Sequence, residues 1–199
     1  MDNKYLIIKK IAGQSEGIVT TKQIEEAGLS RAIIKNFVEK DLLVKEAHGI
    51  YTISSVLVDE YKLLQMRSGK IIFSYGTALY LHGMSDRIPH ILEVTIPQGY
   101  NVSRIKKDHP DVRFHYVRHE WWNLGMMKIL TPLGVEVTVY DKERCICDLI
   151  NSKKKMDMQL YSQAIKDYFK TSPDLRKILN YGKVLGVEEE IRIYLEVLL

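Results

Sequence analysis

From residue 20 to residue 40 the chain reads Thr20-Thr21-Lys22-Gln23-Ile24-Glu25-Glu26-Ala27-Gly28-Leu29-Ser30-Arg31-Ala32-Ile33-Ile34-Lys35-Asn36-Phe37-Val38-Glu39-Lys40. Thr20 or Thr21 is a good N-cap for a helix that ends at Gly28. Ser30 is a good N-cap for a second helix that runs to about residue 40. Two helices joined by three or four residues that include a glycine indicate a helix-turn-helix.

Another helical pattern precedes this pair. It runs through Tyr5, Ile8 and Ile11 and ends at Gly13, and the pattern of the next helix opens at Ile18. Apolar residues at this spacing indicate short amphipathic helices. We therefore predict three short helices in quick succession at the start of the chain.

The third of these helices has an apolar face and a polar face. At 100° per residue Ile34 and Phe37 fall together, and Arg31, Lys35 and Asn36 fall on the opposite side. Arginine reads guanine and asparagine reads adenine in the major groove of DNA. These side chains begin at the N-terminal end of the helix, where a recognition helix contacts bases.

A hairpin pattern follows the third helix. Residues 42–53 hold two β-rich runs on either side of His48-Gly49, which predicts two strands joined by a tight turn. A hairpin directly after a recognition helix is the wing of a winged helix-turn-helix, and Lys45, His48 and Tyr51 could meet phosphates or the minor groove. The candidates for contacts to double-stranded DNA are therefore Lys22, Arg31, Lys35, Asn36, Lys45 and His48.

The net charge of +4 does not by itself indicate a nucleic-acid partner. Residues 1–70 carry 11 basic and 9 acidic side chains, and residues 71–199 carry 18 and 16. Neither part is strongly basic, so the DNA-binding prediction depends on where the charges are placed. A winged helix that binds protein and serves only as a scaffold remains an alternative.

The rest of the chain predicts a mixed α+β domain that ends in helices. After a helix over residues 56–70 and another over about 75–82, strand patterns and then helical patterns follow. The predicted strands cover residues 91–97, 112–118, 126–130 and 135–140. One predicted helix begins at Asp141, and three more follow over about residues 157–170, 173–181 and 187–198. We expect two domains, a winged helix-turn-helix with its connecting helix over residues 1–70 and a C-terminal domain over residues 71–199.

No residue pattern in the chain indicates an enzyme, a metal site or a cofactor. There is no phosphate-binding glycine loop, no nucleophile elbow and no Gly-Ser dipeptide of the kind a nucleotidyltransferase needs. His115 and His119 straddle the end of a predicted strand, and residues four apart along a strand are too distant to share one ion. Cys145 and Cys147 are expected to be reduced residues of the core. We therefore predict no catalytic residue, no metal ligand and no cofactor.

The charged residues of the C-terminal domain include two groups with different predicted roles. Asp141 is expected to cap a helix in which Arg144 and Asp148 form a local ion pair. A basic cluster lies earlier in that domain and holds Arg104, Lys106, Lys107, Arg113 and Arg118. If it lies on the same face as the wing, Lys106 and Lys107 would be accessory DNA contacts.

Three stretches of the C-terminal domain carry a resemblance to a known family. They are Ser74-Tyr75-Gly76-Thr77-Ala78-Leu79-Tyr80-Leu81-His82-Gly83-Met84-Ser85-Asp86-Arg87-Ile88-Pro89, Glu93-Val94-Thr95-Ile96-Pro97 and Tyr140-Asp141-Lys142-Glu143-Arg144-Cys145-Ile146-Cys147-Asp148-Leu149-Ile150. Together with the winged helix they resemble the AbiEi family, the antitoxins of the AbiE abortive-infection systems. Met84 stands where leucine is usual in that family, which is a conservative change.

The resemblance implies a type IV antitoxin that also represses its own operon in phage defence. The winged helix would bind inverted repeats in the promoter, and the C-terminal domain would counter a nucleotidyltransferase-like toxin, with which it need not form a stable complex. The alternative is a ligand-sensing transcriptional regulator with no toxin partner. Since no run of 18 uncharged apolar residues occurs, we expect a cytoplasmic protein with no membrane contact.

Overall fold

The computed structural model describes residues 3–171 and 173–198 of the chain. It divides into two units, residues 1–67 and residues 68–199. Each unit has its own sheet and its own helices, and each is described by itself.

The first unit is a three-helix domain with a three-stranded antiparallel sheet and a short helix at its end. Its strands lie in the order β1-β3-β2. The elements are α1 (Asn3–Gly13), β1 (Ile18–Thr20), α2 (Thr21–Glu26), α3 (Arg31–Glu39), β2 (Leu43–Ala47), β3 (Ile50–Ile53) and α4 (Glu60–Met66).

The prediction that a helical pattern opens at Ile18 is wrong, because β1 occupies Ile18–Thr20. Residues 18–20 pair with residues 50–52 of β3, a partner that helical periodicity cannot reveal. Thr20 is the N-cap of α2, and its hydroxyl accepts from the backbone of Gln23 in a capping box. The helix predicted over residues 56–70 is shorter than expected and begins after Asp59, whose carboxylate caps it.

The turn between α2 and α3 is a Schellman motif. Gly28 has a φ of +78°, a left-handed conformation that glycine adopts without strain. The backbone N–H of Gly28 donates to the carbonyl of Glu25, and that of Leu29 donates to the carbonyl of Ile24. These bonds end α2 and turn the chain sharply into α3, as a helix-turn-helix requires.

Buried apolar side chains of all three helices fix α3 to the rest of the unit. Ile34 and Phe37 of α3 pack in a core that also includes Tyr5 and Ile8 of α1. The rings of Tyr5 and Phe37 meet edge to face, with centroids 5.5 Å apart. The apolar face that the sequence predicts for this helix is the face that the structure buries.

The second unit is a five-stranded mixed sheet with helices that gather at the end of the chain. Its strand order is β6-β5-β4-β8-β7, in which β5/β6 and β4/β8 are parallel and β4/β5 and β7/β8 are antiparallel. The elements are β4 (Ile72–Phe73), α5 (Tyr75–Leu81), β5 (Leu92–Pro97), α6 (Ser103–Asp108), β6 (Val112–Val117), α7 (His119–Trp122), β7 (Met126–Leu130), β8 (Glu136–Tyr140), α8 (Lys142–Ser152), α9 (Met158–Lys170), α10 (Leu175–Leu185) and α11 (Glu188–Leu198), with a 3-10 turn at Lys153–Lys155.

This order of elements confirms the predicted fold class, an N-terminal winged helix-turn-helix followed by an α+β unit that ends in helices. The central β4 was not predicted, because two residues are too few to show a period. His119 begins α7, a short helix that was not predicted. Ser172, which the sequence favours as the N-cap of this helix, lies outside the described residues, and Asp174 is the N-cap of α10 that the structure shows.

The helix α8 lies at the centre of the second unit. Every residue from 143 to 150 is buried, and α8 packs against α5, α9 and α10. Asp141 caps α8, since its carboxylate accepts from the backbone N–H of Arg144 at 2.8 Å. Cys145 and Cys147 are both buried and both carry free thiols, which confirms the prediction of reduced core residues. Among the described residues, no helix combines the length and apolar character that crossing a bilayer requires.

Candidate nucleic-acid interface

The polar face of α3 is open to solvent. Arg31, Lys35 and Asn36 are all exposed, while Ile34 and Phe37 on the other side are buried. The apolar side of the helix therefore fixes its orientation, and the three polar side chains project away from the core. Such a helix can enter the major groove, which is wide enough to admit an α-helix.

The wing is a short hairpin whose tip is held against α2. Strands β2 and β3 are joined by His48-Gly49, and Gly49 has a positive φ of +75°, a conformation that glycine adopts without strain. The carbonyl of Gly49 accepts from the backbone N–H of Thr21 at 2.9 Å. Lys45 lies opposite Tyr51 in the hairpin, and both Lys45 and His48 are exposed.

A cleft of about 550 Å³ lies between α3 and the wing. Two of the predicted basic side chains reach it from α3, Arg31 and Lys35. Lys45 and His48 reach it from the hairpin, and Tyr51 lines it as well. The structure thus brings together four of the six predicted contact residues, which lie up to 17 positions apart in the sequence.

Asn36 and Lys22 are exposed but do not line this cleft. Asn36 follows Lys35 on α3, and Lys22 lies in the first turn of α2. In a helix-turn-helix the first of the two helices crosses the DNA backbone, while the second enters the groove. The position of Lys22 therefore suits a phosphate contact, and that of Asn36 suits a contact to a base edge.

Three of the predicted cations form ion pairs with neighbouring carboxylates. Arg31 donates to Glu25, Lys35 lies 3.8 Å from Glu39, and Lys22 lies 3.7 Å from Glu26. The hydrogen bond to Glu25 and the charge of Glu25 raise the pKa of the Arg31 guanidinium above its usual value.

These pairs make the surface nearly neutral in the free protein. Ion pairs between exposed side chains contribute little to stability and are screened by salt, so a phosphate can replace the carboxylate. Lys45 and His48 differ from the three cations above, since within residues 3–171 and 173–198 neither forms an ion pair.

Two side chains of the basic cluster predicted in the second unit make separate local contacts. Lys106 lies over the rings of Phe114 and Tyr116, at 5.6 and 5.3 Å from their centroids. Arg113 pairs with Glu93 of the neighbouring strand at 3.2 Å. Lys106 and Lys107 are both exposed on α6, and their role as accessory DNA contacts stays a prediction.

Residues 7–54, from α1 to the end of the hairpin, match a family model described as a transcriptional regulator, AbiEi antitoxin. The resemblance to the AbiEi family is confirmed over this segment. The matched residues contain the helix-turn-helix, the wing and all six predicted contact residues. The match supports a role as antitoxin and transcriptional regulator, and its description names no enzymatic activity.

A solved structure has a similar fold over most of the chain. The crystal structure of the RV2827C protein from Mycobacterium tuberculosis superposes with a TM-score of 0.64, and it covers 87% of this chain and 70% of its own. Its sequence is 14% identical, so this similarity concerns the fold alone. No curated protein matches the chain.

The ion pair between Arg31 and Glu25 is the feature of this surface that sequence reasoning missed. The pairs Lys22–Glu26 and Lys35–Glu39 have the helical spacing of four residues and could have been found from it. Glu25 precedes Arg31 by six residues, and the two meet only because the Schellman turn folds α3 back toward α2.

Proposed function

We propose that this protein is an antitoxin and transcriptional autorepressor that binds double-stranded operator DNA through α3 and the wing. The observation that supports the proposal is the cleft between these two elements, where Arg31, Lys35, Lys45 and His48 come together. The segment that forms this cleft is also the segment that matches the AbiEi model.

In this proposal α3 lies in the major groove with its N-terminal end toward the bases. Arg31 and Asn36 contact base edges, since arginine and asparagine each form bidentate hydrogen bonds with purines. Lys35 and Lys45 contact phosphates on the two sides of the groove, and His48 supports the wing on the backbone. The phosphate contacts position the protein on the DNA, while the base contacts give sequence preference.

The paired carboxylates make this binding selective. A protein that presents unpaired lysines binds any DNA through phosphate contacts alone. In the free protein the carboxylates of Glu25 and Glu39 form ion pairs with Arg31 and Lys35 and offset their positive charge. Non-specific DNA offers only phosphates as compensation, whereas the operator also offers base edges. We therefore expect modest non-specific affinity and a preference for inverted repeats in the promoter of the protein's own operon.

The antitoxin activity is assigned to the second unit. This assignment is supported by the description of the matching family and by the resemblance of the stretches around Ser74, Glu93 and Arg144 to that family. The partner in this proposal is a nucleotidyltransferase-like toxin encoded nearby, acting in the cytoplasm as part of a phage-defence operon. A stable complex between toxin and antitoxin is not required.

The proposal is tested with a reporter gene behind the operon's own promoter and the full-length protein supplied in trans. We expect repression by the unmodified protein and loss of repression with Lys35→Ala and Lys45→Ala together. Arg192→Ala is a matched control, because Arg192 is also exposed and also pairs with a glutamate, but lies on α11. Equal repression by all three proteins would contradict the proposed interface.

The antitoxin part is tested separately by co-expression with the neighbouring gene. Growth should be restored by the full chain, and also by the Lys35→Ala/Lys45→Ala variant when it is expressed from an unrelated promoter. Failure of the full chain to restore growth would contradict the antitoxin assignment and leave the DNA-binding assignment standing.

A further inference from the structure

The second unit contains a polar cavity that the proposed function does not use. Its volume is about 460 Å³, within the range that holds small ligands. It lies beside β5 and β6, at the end of α8. The polar side chains that line it are Tyr75, Glu93, Arg113, His115, Ser152 and Lys155.

Glu93 is the centre of the hydrogen-bond network on one wall of this cavity. Its side chain is only 11% exposed. One carboxylate oxygen accepts from Arg113 at 3.2 Å and from His115 at 3.1 Å, and the other accepts from the backbone N–H of Gly76 at 2.9 Å. Both oxygens are therefore occupied, and Glu93 acts as an anchor that fixes Arg113 and His115 in place.

The pKa of Glu93 reflects these donors. Burial by itself raises the pKa of this carboxyl, but the hydrogen bonds from His115 and Gly76 and the charges of His115 and Arg113 outweigh it, so the pKa lies below its usual value. Glu93 is consequently ionised at neutral pH and neutralises one positive charge at this wall.

Tyr75 is held in a strained backbone conformation beside Glu93. Its φ is +49°, an unfavourable value for a residue with a large side chain. The neighbouring strand fixes it from two sides, since Ser74 N–H donates to the carbonyl of Glu93 and Glu93 N–H donates to the hydroxyl of Thr77. A Cβ at Gly76 would come within 2.9 Å of the Glu93 carboxylate, so a larger residue there would displace this carboxylate from its hydrogen bonds. Strain retained in this way is typical of ligand-binding sites.

The strained turn places the Tyr75 side chain in the cavity wall. Its ring stacks on His115 with centroids 3.9 Å apart, and its hydroxyl lies 3.2 Å from the hydroxyl of Ser152. Burial raises the pKa of Tyr75 to about 12, so the phenol keeps its proton at neutral pH. The wall thus presents two neutral hydroxyls next to its cations.

Positive charge remains in excess in this cavity. Arg113 uses one of its five N–H donors on Glu93, and its side chain is 57% exposed. Lys155 reaches the cavity from the 3-10 turn and has no ion pair within the described part of the chain. Two cations therefore face one carboxylate whose oxygens are already occupied, which leaves a site for an anion.

We propose that this cavity binds a small phosphate monoester of about mononucleotide size, with its phosphate between Arg113 and Lys155. A guanidinium matches the oxygens of a phosphate in a bidentate way, and an ammonium group supplies the second positive charge for the dianion. The hydroxyls of Tyr75 and Ser152 are hydrogen-bonded to each other, which leaves one O–H of the pair to donate to a further phosphate oxygen. Tyr116, Val117 and Met156 line the rest of the cavity and cover the less polar part of the ligand.

The proposal is tested by calorimetric titration of the full-length protein with three probes, adenosine 5′-monophosphate, inorganic phosphate and adenosine. We expect the monophosphate to bind most tightly, inorganic phosphate to compete with it, and adenosine not to bind. Arg113→Gln and Lys155→Gln should each lower the affinity for the monophosphate at least tenfold. Lys183→Gln is the control, because Lys183 is exposed on α10 and does not line the cavity.

Three results would overturn the proposal. They are no heat of binding with any probe at millimolar concentration, equal binding of adenosine and its monophosphate, and unchanged affinity in both cavity variants. Thermal unfolding of each variant establishes that it is folded, and the exposure of Arg113 and Lys155 predicts that both are. Operator binding by the first unit is measured independently, so a negative result here does not bear on the proposed repressor function.

Discussion

Arg31, the first residue of α3, donates a hydrogen bond to Glu25 of α2 across the turn of the helix-turn-helix. Their side chains are 76% and 41% exposed, so the pair lies at the surface where DNA would approach. Only the Nε–H of this guanidinium is used on Glu25, so the N–H groups of its two terminal nitrogens remain for a guanine. Binding of DNA through Arg31 nevertheless has to overcome the repulsion between the Glu25 carboxylate and the phosphates.

Replacement of Arg31 by alanine should weaken binding of the full-length protein to its operator about ten- to hundredfold, the range for loss of one bidentate contact to a base. Affinity for DNA of unrelated sequence should change much less, because a base contact carries the loss. A gel-shift titration at fixed salt with both duplexes measures this. Equal losses on the two duplexes would show that Arg31 contacts only the backbone.

Replacement of Glu25 by glutamine should strengthen DNA binding. The variant keeps the shape of the side chain but removes the negative charge that competes with DNA for Arg31. We expect the largest gain at low salt, since exposed charges are screened as ionic strength rises. Glu188→Gln is the matched control, because Glu188 pairs with Arg192 on α11 in the second unit. Weaker operator binding by Glu25→Gln would show that the ion pair orients Arg31 for DNA.

The two lysines of the cleft should determine how strongly salt weakens DNA binding. Each lysine that contacts a phosphate releases about one counterion, so Lys35→Ala and Lys45→Ala should each reduce the slope of log affinity against log salt concentration by about 1. Fluorescence anisotropy of a labelled duplex at several salt concentrations gives this slope. A slope that is unchanged in both variants would remove Lys35 and Lys45 from the interface.

The buried pair of Arg144 and Asp148 should be essential for the stability of the second unit. The Arg144 side chain is fully buried, donates to Asp148 at 2.9 Å, and also donates to the carbonyls of Trp121 and Leu124. Arg144→Ala leaves a buried carboxylate and two carbonyls without their donor, which should lower the free energy of unfolding by about 3–5 kcal/mol.

Urea unfolding of the full chain, followed by tryptophan fluorescence, measures this loss, because both tryptophans lie in the second unit and the carbonyl of Trp121 accepts from Arg144. Arg192→Ala removes an arginine at the same spacing of four residues from an exposed pair and should cost less than about 1 kcal/mol. Similar losses in the two variants would contradict the argument from burial.

Stability of the second unit should depend on Glu93 in acid. The pKa of Glu93 is lower in the folded protein than in the unfolded chain, so the folded state binds this proton less tightly. The stabilisation is present above the unfolded pKa of about 4.3 and is lost as the pH falls through the folded pKa. As the pH falls from about 5 to 3, the free energy of unfolding of the parent protein should therefore decrease more steeply than that of Glu93→Gln. Parallel curves would contradict the ionised state of Glu93.

Local patterns predicted most of the first unit correctly. The Schellman turn at Gly28, the polar face of α3 and the hairpin at His48-Gly49 all depend on residues a few positions apart, and short-range rules describe them. Strand β1 was mistaken for the start of a helix because its partner, β3, lies about 30 positions away.

The cavity around Glu93 could not have been predicted from the sequence. Arg113 and His115 reach Glu93 because β5 and β6 are parallel neighbours in a register that pairs Glu93 with Arg113. The strain at Tyr75 depends on the same pairing. The sequence alone places Arg113 in a basic cluster and makes His115 a weak metal candidate, because it does not reveal strand order or register. No three His, Cys, Asp or Glu side chains of the described residues lie close enough to share a metal ion.

The central claim is that α3 and the wing form the surface that binds double-stranded DNA. Backbone amide chemical shifts of the 23.1 kDa chain, measured by NMR with and without a duplex from its own promoter, test it most directly. We predict that the largest changes fall in Arg31–Glu39 and in the hairpin from Lys45 to Tyr51. The claim would be contradicted if saturating DNA left the chemical shifts of both segments unchanged, or changed only those of the second unit.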